Sequence, residues 1–136
     1  MRATTETLKT LTAYYAAMEA NEPDVFGSYY AEDMTLTFGN SAEIKGKDAI
    51  VAAFSDKLNE VESLGHDLVN VWEEERGVVF FESIGRWTLK NGAVIEIKAA
   101  SKITMVDGQF VDQRIYVDNE PVFVALAQEK GLVGRS

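Results

Sequence analysis

The apolar periodicity of this chain changes once along its length, and that change bounds the folds open to it. From Thr5 to Ala20, Leu8, Leu11, Tyr15 and Met18 recur at steps of three and four residues, which makes one stripe on a helix. Asn21 and Pro23 interrupt it. Proline is tolerated in a first helical turn, where its missing N–H has no partner, so Pro23 to Tyr29 reads as a second, short helix. A strand, DMTLTFG, follows. Gly46 precedes a third helix over KDAIVAAFSDKLNEVES, with Ile50, Phe54, Leu58 and Val61 on one face and Asp48 near its positive start; it ends by Gly65. Beyond it the period is two. HDLVNVW, VVFFESIGRWTL, VIEIKAASKITMV and QFVDQRIYVD read as strands separated by the turns EEERG, KNGA and DG. Helices first and an antiparallel meander afterwards is an α+β order.

At 136 residues the chain fits a single domain over 1–136 with a core of its own. Its net charge of -9 repels phosphate backbones and anionic lipid, and no basic stripe interleaved with aromatics offsets it, so nucleic acid is not an expected partner. Without cysteine there is no disulfide, thiolate nucleophile or thiolate-held metal, and one histidine cannot build a multi-histidine centre; no metal and no cofactor are expected. The first residues lack the apolar stretch of a secretory signal, and no segment approaches the roughly 20 apolar residues of a membrane span. The expectation is a cytoplasmic protein with no membrane partner.

Two of the strands are longer than a flat sheet in a small domain accommodates, so the sheet is expected to curl, with Gly85 as a bend or bulge, and to wrap around the helices as a cone. Asn91-Gly92 and Asp107-Gly108 are two-residue hairpin signals and serve as rulers. Counting back from the first places Arg86 opposite Ile97 and Glu82 opposite Ser101. Counting from the second places Ile97 opposite Asp118, Ala99 opposite Tyr116 and Ser101 opposite Arg114. The concave, helix-covered face then carries Phe80, Glu82, Ile84 and Arg86, then Ile95 to Ile103 at alternate positions, then Phe110, Asp112, Arg114, Tyr116 and Asp118. Ser83, Trp87, Glu96, Lys98, Lys102 and Gln113 fall on the half-wet convex face.

This count gives the hollow two rows of opposite charge, Glu82-Ser101-Arg114 and Arg86-Ile97-Asp118. Buried charges are costly unless paired. The rows read either as structural ion pairs, the reading favoured for Glu82 and Arg114, or as the polar part of a small-molecule pocket, the reading favoured for Asp118 at the strand end. His66 faces the hollow if EEERG is a five-residue turn and not if the turn has two residues. Tyr14, Tyr29 and Tyr30 pack, with hydroxyls that could point inward. Asn40 reads as a turn residue or as a holder of a water or a ligand carbonyl. Trp72 and Trp87 read as core or interface residues.

The order of these segments, with YYAEDMTLTFG, GKDAI opening a helix and the closing DGQFVDQRIYVD, resembles the SnoaL-like branch of the nuclear transport factor 2-like superfamily from about Thr5 to Pro121. The resemblance implies a curved antiparallel sheet wrapped around three N-terminal helices, a deep pocket for a small apolar organic molecule, and a homodimer through the convex sheet face. The closing Arg-x-Tyr-x-Asp is present as Arg114, Tyr116 and Asp118, and the resemblance makes Asp118 a catalytic acid or base. The epoxide hydrolases of that superfamily also use an Arg-x-Asp pair, which ESIGRW lacks, and a Tyr and an Asn, where this chain has Phe38 and Asn40. Fold alone does not give function. The reading is a cofactor-free acid-base enzyme, an isomerase, cyclase or dehydratase, in which Asp118 moves a proton and Arg86 or His66 holds it or a developing oxyanion; the alternative is a non-catalytic ligand-binding or interaction dimer.

Overall fold

The computed structural model describes residues 2–74 and 77–131. Its elements, in chain order, are α1 (Thr5–Glu19), α2 (Pro23–Phe26) with a 3-10 turn over Gly27–Tyr29, β1 (Tyr30–Phe38), β2 (Ile44–Lys45), α3 (Lys47–Asn59), β3 (Ser63–Glu74), β4 (Val78–Thr88), β5 (Val94–Val106), β6 (Gln109–Val117) and α4 (Glu120–Glu129). The α+β class and the antiparallel meander β3 to β6 are as expected. The EEERG turn includes residues 75 and 76, outside the described residues.

Each helix begins where its sequence supplies a start. Thr4 caps α1, its Oγ1 accepting the Thr7 N–H at 3.1 Å, and Asn21 in the left-handed region at φ 53° follows the helix end. The buried face of α1 is Leu11, Tyr14, Tyr15 and Met18, while Leu8, counted into the stripe, is 40% exposed. In α3, Asp48 in the first turn and Lys57 in the last both suit the helix dipole. It stops at Asn59, earlier than the sequence suggests, and Val61 packs in a different cluster.

The sheet has the order β2-β1-β6-β5-β4-β3. The early strand β1 therefore sits beside the last one, β6, and runs parallel to it. The three N-terminal helices cover one face of this curved sheet, where Leu11, Tyr14, Phe26, Tyr30, Met34, Phe81 and Phe110 form the main core. At about 1.5–3 kcal/mol for each large apolar side chain removed from water, this cluster is the main source of stability. No helix among the described residues is long and apolar enough to cross a membrane.

The register differs from the count in two places, each by one residue, and a third one-residue slip falls in β3, beyond the reach of the two turns. The β4–β5 hairpin has a three-residue loop: Gly92 N–H donates to Leu89 O at 2.9 Å, Leu89 N–H donates to Ala93 O at 2.8 Å, and only Gly92, at φ 90°, has positive φ. This is the type I turn plus left-handed residue of three-residue hairpins, which needs positive φ once where the primed turn needs it twice. Asn91 instead uses its Oδ1 to accept the Ala93 N–H at 3.0 Å. Leu89 thus faces Ala93, and Gly85 faces Ile97 while Phe81 faces Ser101.

The Asp107-Gly108 turn is the expected two-residue one, with φ of 52° and 79°, but a bulge follows it. Met105 pairs with Phe110, and the next pair is Thr104 with Asp112, leaving Val111 as the extra residue. A second bulge in β3, at Val69, moves the pairing from Asn70↔Glu82 to Leu68↔Ser83. The expected bulge at Gly85 is absent: β4 pairs with both neighbours without interruption there.

Because side chains alternate, these slips reverse most of the predicted facing. Phe110 is fully buried, but Asp112, Arg114 and Tyr116 point to the convex side, as do Phe80, Glu82, Ile84 and Arg86. The hollow receives Ser83, Trp87 and Gln113, all expected outside, and Gly85. The charges of β6 are thereby spared a burial that costs several kcal/mol for each unpaired ion.

Candidate active site

A cavity of about 920 Å³ opens between the concave sheet, α1, α3 and α4. Its wall is mainly apolar, with Met18, Phe38, Phe54, Leu64, Trp87 and Ile115 among the lining residues. α4 was not expected. Val122 and Leu126 bury one side of it against Val61, Leu89 and Ile97, and Phe123 and Val124 face the cavity. Pro121 in its first turn was a start signal that could have been read. Lys57, from α3, lies 4.9 Å over the Phe123 ring.

Through this apolar wall runs a diagonal of small and uncharged polar side chains, one from each meander strand. His66 on β3 is opposite Gly85, two residues from Ser83 on β4; Ser83 is opposite Ala99, two residues from Ser101 on β5; Ser101 is opposite Ile115, two residues from Gln113 on β6. Each step moves the same way along the sheet, so the four form one track with diagonal spacings of about 7–8 Å between backbones. Ser83, Ser101 and Gln113 are 6%, 4% and 1% exposed. Gln113 Oε1 has no hydrogen-bond partner among the described residues, a costly condition for a buried acceptor unless a ligand or water meets it.

Tyr15, from α1, lies across the track, its ring 4.6 Å from that of His66. Burial, then the fields of Tyr30 and Glu19, hold its hydroxyl well above the ordinary tyrosine range, with hydrogen bonding to the Gln113 side chain acting the other way. Tyr15 is therefore an O–H donor at any ordinary pH. His66 is pushed down from 6.5 to about 4 by burial, against the weaker pull of Asp67, so its ring is neutral at pH 7. It faces the cavity, as one of the two turn readings expected, but for another reason. Without the extra residue at Val69 it would pair with Arg86 and face outward.

Asp118 lines the cavity at its exposed edge, and its Oδ1 accepts the Glu120 N–H at 3.0 Å, closing the first turn of α4. Phe38, Asn40, Ile97 and Ser101 line the cavity as expected. The other expected pocket residues do not. Tyr14 and Tyr30 are fully buried behind it, their hydroxyls hydrogen-bonded to each other at 2.5 Å. Arg86 meets no Asp118: on the convex face its Nη1 and Nη2 donate to Asp67 at 2.7 and 3.1 Å. Glu82 accepts from Asn70 at 3.1 Å, Arg114 donates to Asp112 at 3.1 Å, and Tyr116 is 56% exposed. The missed lining residues Tyr15, Ser83, Trp87 and Gln113 were hidden by the register slips, except Tyr15, which the helical stripe had marked only as core.

Comparison with known proteins agrees with this architecture. A SnoaL-like domain family model matches residues 11–113. No curated protein sequence gives a significant match. Among solved structures, a candidate SnoaL-like polyketide cyclase from Jannaschia sp. CCS1 superposes with a TM-score of 0.75 at 16% identity, covering 90% of this chain and 92% of the other. A candidate isomerase from Bacillus subtilis gives 0.77 at 20% identity, covering 88% and 91%. A protein of ketosteroid isomerase-like fold from Catenulispora acidiphila DSM 44928, in complex with trimethylamine, gives 0.70 at 16%, covering 79% and 83%. At these identities the likeness is one of fold. With its curved sheet, its three covering helices and a family model spanning most of its length, the chain belongs to the SnoaL-like domain family.

Proposed function

We propose that this protein is an acid-base enzyme of the isomerase, cyclase or dehydratase type, acting on a small, mostly apolar organic molecule held in the cavity. The observation that carries the reading is the track of uncharged polar groups inside an apolar hollow: Tyr15, His66, Ser83, Ser101 and Gln113 line it, while its charged lining residues Lys57, Asp118 and Glu120 are partly or fully exposed. Such a site suits a neutral ligand with a few oxygens to be recognised.

The three reaction types share a first step, removal of a proton beside a carbonyl. His66 is unprotonated at pH 7 and can accept that proton, and the Tyr15 hydroxyl can donate to the enolate oxygen that forms. The proton then returns to another carbon in isomerisation. In cyclisation the enolate carbon attacks a second carbonyl, and in dehydration it expels a hydroxyl group. Asp118, at the exposed edge, is the second proton-transfer group, relaying a proton from solvent water to the departing or newly formed oxygen.

The shared step is measurable without knowing the substrate. A panel of cyclic and aryl ketones incubated with the protein in D2O is expected to contain members whose α-protons exchange faster than in buffer, read by proton NMR. His66→Gln should lower that exchange by about 10²–10⁴, the usual worth of a positioned general base. Asp118→Asn should abolish complete turnover and leave ketone binding largely intact. Ketones that bind in the cavity and exchange no faster than in buffer would overturn the catalytic reading in favour of a ligand-binding protein.

The homodimer that the family resemblance implies is proposed to form through the convex face. Trp72, Phe80 and Tyr116, 42%, 42% and 56% exposed, lie there among the ion pairs Arg86–Asp67 and Arg114–Asp112. An exposed aromatic group of this kind on a sheet face suits an interface core. Phe80→Asp is expected to convert a dimer to a monomer in light scattering; a wild-type chain that is monomeric at high concentration would rule the dimer out.

A further inference from the structure

Besides Gln113 Oε1, the cavity wall holds a second buried polar atom without a partner, in the ring of His66. Nδ1 of the ring is buried and has no hydrogen-bond partner among the described residues. The anionic group near it is Glu19, the last residue of α1, whose Oε1 is 3.7 Å from Nδ1 and accepts the main-chain N–H of His66 at 2.6 Å. One carboxylate oxygen thus pins the backbone of the histidine and faces its ring. Glu19 does not line the cavity.

We infer that Glu19 is a positioning residue that keeps the proton of the neutral His66 ring on Nδ1 and so leaves the Nε2 lone pair directed into the cavity, an inference that rests on His66 being the proton-transfer group. A carboxylate only accepts hydrogen bonds, so a ring nitrogen turned toward it is favoured as N–H. The same carboxylate lies on the far side of the ring from the ligand space, where it stabilises the imidazolium that forms when Nε2 takes a proton. Tyr15 and Glu19 are four residues apart on α1 and share a helix face, and between them they hold the ring: Tyr15 by a tilted ring contact at 4.6 Å between centroids, Glu19 by charge. Of the other groups around the ring, Asp67 also acts on it through its field. Asp67, its neighbour on β3, points to the convex face and is bound by Arg86, and Gly85 and Trp87 opposite carry no charge.

The location of Glu19 is otherwise unfavourable. A negative charge at a helix C-terminus is opposed by the helix dipole, and α1 has no basic residue in its last turn to offset it. The main-chain N–H of His66 is the compensation the structure provides, and a proton on Nδ1 adds to it. The longer of the two contacts is beyond ordinary hydrogen-bond length, so Glu19 acts on the ring through its charge.

The chain contains one histidine, so its ring is observed without assignment ambiguity. In long-range proton–nitrogen NMR spectra of imidazole-labelled protein near pH 7.5, the wild type is expected to show the Nδ1–H tautomer as the dominant form. Glu19→Ala should lose that dominance and shift the ring toward Nε2–H, with Glu19→Gln, which keeps an acceptor for the main-chain N–H, falling between. A wild-type ring already protonated on Nε2, or a folded Glu19→Ala protein with the tautomer unchanged, would overturn the inference. Because the measurement needs no substrate, a ketone exchange that proved independent of His66 would remove the catalytic reading while leaving this result standing.

Discussion

Deleting Val111 is expected to unfold this protein or to cost it at least about 4 kcal/mol, far more than the loss of one half-buried valine side chain. Val111 is the extra residue of the β6 bulge, between the pairs Met105↔Phe110 and Thr104↔Asp112. Without it the strand has two ways to pair. Either Phe110 stays in the core and Asp112, Arg114 and Tyr116 turn into the hollow, which buries two charges at several kcal/mol each, or the later residues keep their places and Phe110, now fully buried, turns out to solvent. The second route resembles a Phe→Ala truncation, worth about 3–5 kcal/mol, with added strain at the hairpin. Either loss is a large share of the 5–15 kcal/mol of a typical domain. Val111→Ala, which keeps the residue count, is the control and should cost about 1 kcal/mol or less. Chemical denaturation of the three proteins checks this; a deletion variant within 1 kcal/mol of wild type would mean that the bulge does not decide the facing of β6.

A second large effect is expected on acidification. His66 is held neutral by burial down to about 4, while in the unfolded chain it titrates near 6.5. Between those values the unfolded chain binds a proton that the folded one refuses, so stability falls as the pH drops through this window and the loss is complete below about 4. The size is about 3 kcal/mol from this one residue. The acidic side chains also titrate toward the lower end, but they are common to wild type and His66→Gln and cancel in the comparison. The free energy of unfolding of wild type, relative to His66→Gln, should therefore drop by about 3 kcal/mol between pH 7.5 and pH 4. A difference that stays constant would place the His66 ring in contact with solvent and remove the reason for reading it as a ring held neutral by burial.

Several levels of this protein were legible before any coordinates. The span Val94–Val106 was read as β5 without error, α1 and β4 to within a residue, and the helices-then-meander order gave the class. These follow from local periodicity, which each segment carries within itself. α4 lies outside that periodicity, although Pro121 and the apolar positions 122, 123 and 126 offer a helix signal, because its short stripe follows directly on the alternation of β6. The parallel pairing of β1 with β6 was also out of reach, since no local pattern records which distant strand lies alongside.

What the sequence by itself determined is the helices-then-meander order from α1 to β6, the absence of cysteine chemistry, the acidic net charge and the hydrophobic stock of the core. What only the tertiary structure decided is which side of each strand looks inward. The three-residue loop at Lys90–Gly92 and the bulges at Val69 and Val111 each displace the pairing by a single residue, and in a strand that is enough to exchange the two faces. Those slips brought His66, Ser83 and Gln113 together and sent Glu82, Arg86 and Arg114 outside. The physical reason is that a bulge is chosen by global packing: the fold accepts a locally broken ladder wherever this keeps aromatic groups in the core and charges in water.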